Sequence, residues 1–83
     1  MKRNNRKLIR ATKKAMLKKL NQNLHKPGFE KIDLDWAFKR AREEFLELEC
    51  EMYPRGDTQD IIDEAADCIN FLAFIIYECG RRK

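Results

Sequence analysis

Four acidic side chains stand at a spacing that can do chemistry. Glu44 and Glu47 lie three residues apart in Arg42-Glu43-Glu44-Phe45-Leu46-Glu47-Leu48, and Glu64 and Asp67 repeat that spacing in Asp63-Glu64-Ala65-Ala66-Asp67. On a helix, residues three apart share a face, with side chains about 5–6 Å from each other. Like charges that close repel, and taking a carboxylate out of water costs several kcal/mol unless something pairs with it. Arg40 precedes Glu44 by four and Arg42 precedes Glu47 by five, so local cations relieve only part of the first pair. No Lys or Arg lies between Gly56 and Gly80 to serve the second. A divalent cation would relieve all four acids together. Hard oxygen ligands favour Mg²⁺ or Mn²⁺, and Mg²⁺ is commonly shared with a substrate phosphate. A single pair of this kind on a charged helix is usually a solvated face. Two pairs facing each other across a hairpin, one of them on an apolar face, point instead to a metal site. Glu49, Glu51 and Glu78 read as surface charges, and Asp60 as a first-turn charge.

Positioning these acids requires helices, and the apolar periodicity supplies three in an all-α chain. The first is expected over residues 4–23, where Leu8, Met16, Leu20 and Leu24 recur at multiples of four with Ile9 and Ala15 beside them. His25-Lys26-Pro27-Gly28 ends it, because Pro cannot continue a helix and Gly favours a turn. The second starts after Asp33 or Asp35, either of which can cap free amides. Its apolar stripe is Leu34, Ala37, Phe38, Ala41, Phe45, Leu48 and Met52, and Pro54-Arg55-Gly56 stops it after Tyr53. Asp57 is the best N-cap for the third, which is expected to run to about Cys79, with Gly80 and the basic tail beyond. The short connection predicts an antiparallel hairpin of helices two and three. Glu64 and Asp67 then lie on the line that continues into Phe71 and Phe74, so four carboxylates can converge at one end of the hairpin.

The chain of 83 residues reads as one domain, 1–83, in which 1–26 is a basic helix and 33–79 an acidic hairpin. Residues 1–26 carry ten Lys or Arg and no acid; the rest carries eight bases against fourteen acids, a net −6. Such an asymmetry suits a polyanionic ligand, a metal ion, or docking of the basic arm on the acidic body. From Cys68 onward the third helix is apolar on nearly every side, more than one partner helix can cover, which predicts that a bundle is completed by homo-oligomerisation into a homodimer or homotetramer. The longest strongly apolar run, residues 71–77, is far short of the roughly 20 residues of a membrane span. No secretory apolar stretch follows the basic start. Cys50, Cys68 and Cys79 lack zinc-site spacing and read as reduced packing thiols in a cytoplasmic protein.

The acidic motifs resemble those of the MazG-like, all-α nucleoside triphosphate pyrophosphohydrolases, including the small versions found in phage genomes. That family's signature is an EExxE helix followed by an ExxD helix. Here it reads Glu43-Glu44-Phe45-Leu46-Glu47, then sixteen residues, then Glu64-Ala65-Ala66-Asp67. The Asp-Glu-Ala-Ala-Asp lead, Asn70-Phe71-Leu72 behind it and the His-Lys-Pro-Gly-Phe stretch ahead also look like family segments. The likeness covers about residues 24–77. It implies Mg²⁺-dependent hydrolysis (Mn²⁺ a possible substitute) of an NTP or dNTP to the monophosphate and pyrophosphate, in the host cytoplasm if phage-encoded. By position, Glu44, Glu47, Glu64 and Asp67 would be the metal ligands, Glu44 and Glu43 the catalytic carboxylates with Glu43 orienting water, and Asn70 a ligand of phosphate or sugar.

The chemistry suits these residues, since phosphoryl transfer rests on positioning and electrostatics and needs no cysteine or serine nucleophile. Triphosphates also need cations, which Lys26, Arg40 and the first helix (Lys13, Lys14, Lys18 and Lys19 among others) can supply. Those lysines equally suit a wet helix face, and Asn70 equally suits a subunit contact. A second function class is a small nucleic-acid-binding or regulatory protein using the basic helix, which would bind phosphates in a salt-dependent way. That stretch lacks aromatic interleaving and any recognised DNA-binding motif. A di-iron carboxylate bundle lacks its Glu-x-x-His ligands, because the sole histidine is His25.

Overall fold

A computed structural model describes residues 3–22 and 33–82. Within them the chain is all-helical: α1 (Arg3–Gln22), α2 (Leu34–Met52) and α3 (Thr58–Arg81), with no strand among the described residues. The stretch at 23–32, which holds Lys26 and the expected end of the first helix, lies outside the described residues.

Local chemistry sets the helix ends. Asp33 caps α2, its carboxylate accepting from the Trp36 amide at 3.2 Å. Asp57 caps α3, accepting from the amides of Gln59 and Asp60 at 3.0 and 3.4 Å. Between them Tyr53-Pro54 is cis, and the Gly56 amide donates to the Glu51 carbonyl at 2.6 Å. A Cβ on Gly56 would come within 3.2 Å of that carbonyl, a tight approach that the absence of a side chain avoids.

The C-terminus of α3 departs from expectation. The helix passes through Gly80 and is capped by Arg82 in a right-handed conformation, with no left-handed glycine among the described residues. The reason lies in Glu78, read above as a surface charge and here only 7% exposed. Its carboxylate accepts from Arg81 at 2.7 to 3.1 Å and from Arg82 Nε at 3.1 Å. Those pairs at i+3 and i+4 hold the last turn helical.

α3 packs against both other helices. Contacts with α2 run in opposite chain directions: Trp36 edges onto Phe71 with ring centres 5.6 Å apart, Cys68 Sγ donates to the Ala41 carbonyl at 3.5 Å, and Glu44 and Glu47 meet Glu64. This is the expected antiparallel hairpin. The other side of α3 meets α1 through Asp63, Asp67 and Asn70.

The apolar core is small. Ala37, Ala41, Ala66 and Cys68 are its buried members, and no large side chain among the described residues is fully buried. The α2 stripe is wider than its contact with α3. Its Ala37–Ala41–Glu44 edge is covered, while Phe38 (64%) and Phe45 (55%) face outward. On α3, Leu72, Ile76 and Tyr77 are exposed as well. The accessible surface, 6816 Å², exceeds the roughly 5,200 Å² expected of a compact 10.0 kDa chain. No helix among the described residues is long and apolar enough to cross a membrane.

Candidate metal centre

The antiparallel pairing brings the ExxE of α2 against the ExxD of α3 near the turn end of the hairpin. One carboxylate oxygen from each of Glu44, Glu47 and Glu64 lies within 4.8 Å of the others. Glu44 is buried at 6% exposure, Glu64 is half-buried and Glu47 is exposed, so the cluster opens to solvent on the Glu47 side. Glu64 Oε2 is buried and has no hydrogen-bond partner among the described residues. A buried carboxylate oxygen without a donor is costly, and a cation held by Glu64 would offset that cost. The donor set, carboxylate oxygens alone, suits a hard divalent ion such as Mg²⁺ or Mn²⁺. The oxygens are close enough for small rotations of long side chains to let one ion be shared.

The electrostatics show the strain of the assembly. Burial first, then the hydrogen bond and charge of Glu47, push the Glu44 carboxyl up to about 7 against the pull of Arg40. Glu64 is raised by burial and then by Glu47 and Asp67, with Lys19 opposing. Asp67 is raised mainly by burial, again with Lys19 opposing. Burial is the leading cause of all three shifts, and neighbouring carboxylates add to it.

The cations present are few and specific. Arg40 pairs with Glu43, and its Nη2 donates to Glu44 Oε1 at 2.8 Å. Its guanidinium stacks 5.1 Å over the Phe71 ring, which Phe74 meets edge-on at 5.6 Å. Arg40, read above as a phosphate ligand, is thus engaged by two carboxylates. Glu43 is held at the rim by Arg40 and stands outside the three-acid cluster.

Asp67 also stands outside that cluster. It turns toward α1, where Lys19 Nζ lies 3.5 Å from its Oδ2. One turn earlier, Lys18 Nζ approaches Asp63 Oδ1 at 3.4 Å, and Gln59 Nε2 donates to the same oxygen at 2.9 Å. One turn later, Asn70, 5% exposed, donates from Nδ2 to the Met16 carbonyl at 3.2 Å, while its Oδ1 is buried without a partner among the described residues. Asn70 therefore braces α1 on α3. The pairs of Lys18 and Lys19 with α3 agree with the docking of the basic arm on the acidic body, one of the three uses the charge asymmetry suits; which lysines make them was not legible. The signal was the ten-cation, acid-free first helix itself.

No protein-family model, curated protein or solved structure matches the chain.

Proposed function

We propose that this protein is a divalent-cation-dependent hydrolase that converts an NTP or dNTP to the monophosphate and pyrophosphate, acting as a homo-oligomer. The observation that carries the reading is the gathering of Glu44, Glu47 and Glu64, beside which Glu64 keeps a buried oxygen with no hydrogen-bond partner among the described residues. Asp67, whose charge already reaches Glu44 and Glu64, completes the ligand set by a turn of its side chain away from Lys19. A bound Mg²⁺ would supply neutralisation of the triphosphate oxygens. The chain's own residues do the rest. In the overall reaction a P–O bond forms to water, the bond between α-phosphate and β-phosphate breaks, pyrophosphate leaves and one proton is released. Glu43 at the rim orients the water, and Arg40 is a positioning residue that fixes Glu43 and Glu44 together on the Phe71 ring. Acids mounted on two capped helices give the rigidity such electrostatic catalysis needs.

The homo-oligomer rests on the exposed Phe38, Phe45, Leu72 and Ile76 and on the excess accessible surface. A second copy covering those faces would supply the core that a single chain lacks.

The test is pyrophosphate release from a panel of NTPs and dNTPs with Mg²⁺, comparing the parent with Glu64→Gln. The parent cleaves at least one nucleotide and the variant loses at least about a hundredfold of that rate. Absence of turnover, or a variant equal to the parent, overturns the reading. The runner-up, polynucleotide binding, draws on Arg3, Arg6, Lys7 and Arg10, which are exposed and share one face of α1 at i, i+3, i+4 and i+7. Steeply salt-dependent binding to DNA or RNA with no nucleotide turnover would favour it.

A further inference from the structure

We propose that the outer face of α1 is a docking site for the phosphate backbone of a nucleic-acid duplex, held by charge and without regard to base sequence. The inference goes beyond the hydrolase reading and does not rest on it. Its residues lie outside the acid cluster, and its test does not read nucleotide turnover.

The placement of the cations carries it. At about 100° per residue, Arg3, Arg6, Lys7, Arg10, Lys13 and Lys14 fall within an arc of about 120° on α1. All six are exposed, and none pairs with an acid among the described residues. The partly buried positions of α1, Thr12, Ala15, Met16, Lys19 and Leu20, lie on the other side, where Asn70 of α3 holds the Met16 carbonyl. The helix thus divides its charge. Lys18 and Lys19 meet acids of α3, whereas these six turn outward.

Folding gains nothing from such a stripe. Like charges at i+3 and i+4 repel one another, and Arg3 stands at the positive end of the helix dipole in a first turn with no acid. A polyanion relieves both costs at once. The stripe is roughly 16 Å long and a duplex carries one charge per about 1.7 Å of axis, so a row of phosphates faces it rather than one. Single strands fit less well, because α1 has no aromatic side chain on which bases could stack. Asn4 and Asn5, the amides at this end of α1, lie outside the arc, which leaves long cations suited to phosphates. An anionic bilayer also fits less well, since Met16 and Leu20 on the apolar side of α1 are partly buried within the protein.

The experiment measures binding of labelled duplexes of about 20 base pairs by fluorescence anisotropy, between about 50 and 200 mM salt. Duplex DNA and duplex RNA are run side by side, and the one bound more tightly identifies the natural source. The parent should show a slope of log K on log salt of about −5, roughly a thousandfold loss over that range. The triple variant Arg3→Gln, Arg6→Gln, Arg10→Gln should flatten the slope to about −3, roughly a sixtyfold loss. Replacing the same three by Lys keeps the charge and should restore the parent slope. The control Lys39→Gln, Arg42→Gln, Arg55→Gln removes equal charge from exposed positions elsewhere and should leave the slope unchanged. Circular dichroism checks that each variant keeps its helices. A parent slope shallower than about −2, or a control that flattens as much as the stripe variant, overturns the proposal. So does a lysine variant that fails to restore the slope, or binding to phosphatidylserine vesicles in place of duplexes.

Discussion

Replacing Glu44 by glutamine should make the metal-free protein more stable at pH 8 and leave it almost unchanged at pH 5. The carboxyl is raised from an ordinary 4.5 to about 7, first by burial. A folded-state value above the unfolded one means that the folded chain keeps a proton that the unfolded chain has already released. Parent stability must therefore fall as pH rises from about 4.5 through 7, then level off. Glu64 and Asp67 shift in the same direction and deepen the slope. Asp63 and Glu78 shift the other way, held low by hydrogen bonds from Gln59 and Arg81 respectively. Their contribution is present above the ordinary carboxylate range and is lost only as pH drops through their lower folded values, outside this window. At 1.36 kcal/mol per pH unit, the Glu44 shift corresponds to at most about 3 kcal/mol. Water reaching the cluster past exposed Glu47 reduces that to roughly 1–2 kcal/mol. The Glu44→Gln side chain keeps an acceptor for Arg40 and removes the ionisation, so the variant should gain about that amount at pH 8. The assay is urea unfolding by circular dichroism in EDTA from pH 5 to 8.5, at fixed protein concentration. Added Mn²⁺ should then stabilise the parent at pH 8 and the variant much less. Parent stability that rises between pH 5 and 8 in EDTA, or a Glu44→Gln variant less stable than the parent at pH 8, would refute the reasoning.

Two further predictions concern the surface and the helix end. Parent protein should sediment as a dimer or tetramer, and Phe38→Asp or Ile76→Glu, which charge side chains now 64% and 73% exposed, should shift it toward the 10.0 kDa monomer. A parent that sediments as a monomer at about 100 μM would remove the oligomer proposal. Gly80→Ala should raise the thermal midpoint by roughly 2–4 °C, because the residue is helical and nothing lies within 4 Å of the added methyl. A lowered midpoint would show that the last turn is not helical in solution.

Much of this architecture could be read from side-chain chemistry at single positions. Asp57 marks a helix start because its carboxylate can cap free amides, Asp33 and Asp35 both offered that use for α2 and Asp33 takes it, and Pro54 marks a stop because it lacks a donor. The meeting of Glu44 and Glu47 with Glu64 followed from two three-residue spacings and a short turn. What failed was the partition of α3. A helical wheel places Glu64 and Asp67 on one broad face. It cannot say that α1 and α2 divide that face, sending Asp67 to Lys19 and Glu64 to the cluster. The same limit explains Phe38 and Phe45: a stripe shows what is apolar, whereas coverage depends on how many helices arrive. Glu78 was legible in its Arg81 and Arg82 neighbours, and went unread because Gly80 was given more weight than three charges at i, i+3 and i+4.

The distribution of cost across the molecule separates structural from functional residues. Acids that serve the fold have found their partners: Asp33 and Asp57 hold amides, and Glu78 holds two arginines. In the central cluster Glu44 has one cation partner, Arg40 at 2.8 Å. Glu44, Glu47 and Glu64 crowd one another, leave Glu64 Oε2 without a partner among the described residues, and do so where the buried apolar set of those residues is three alanines and a cysteine. A protein with so little core would be more stable with leucine or glutamine at those positions. Sites that lower stability in this way are characteristic of ligand and catalytic centres, where charge is held ready for something yet to bind. Part of the charge segregation along the chain follows the same logic, since Lys18 and Lys19 of α1 pair with acids in the stretch of α3 that has no cation of its own before Arg81. Lys18 and Lys19 pair with the outer acids of α3, Asp63 and Asp67, while the buried Glu64 Oε2 has no hydrogen-bond partner among the described residues.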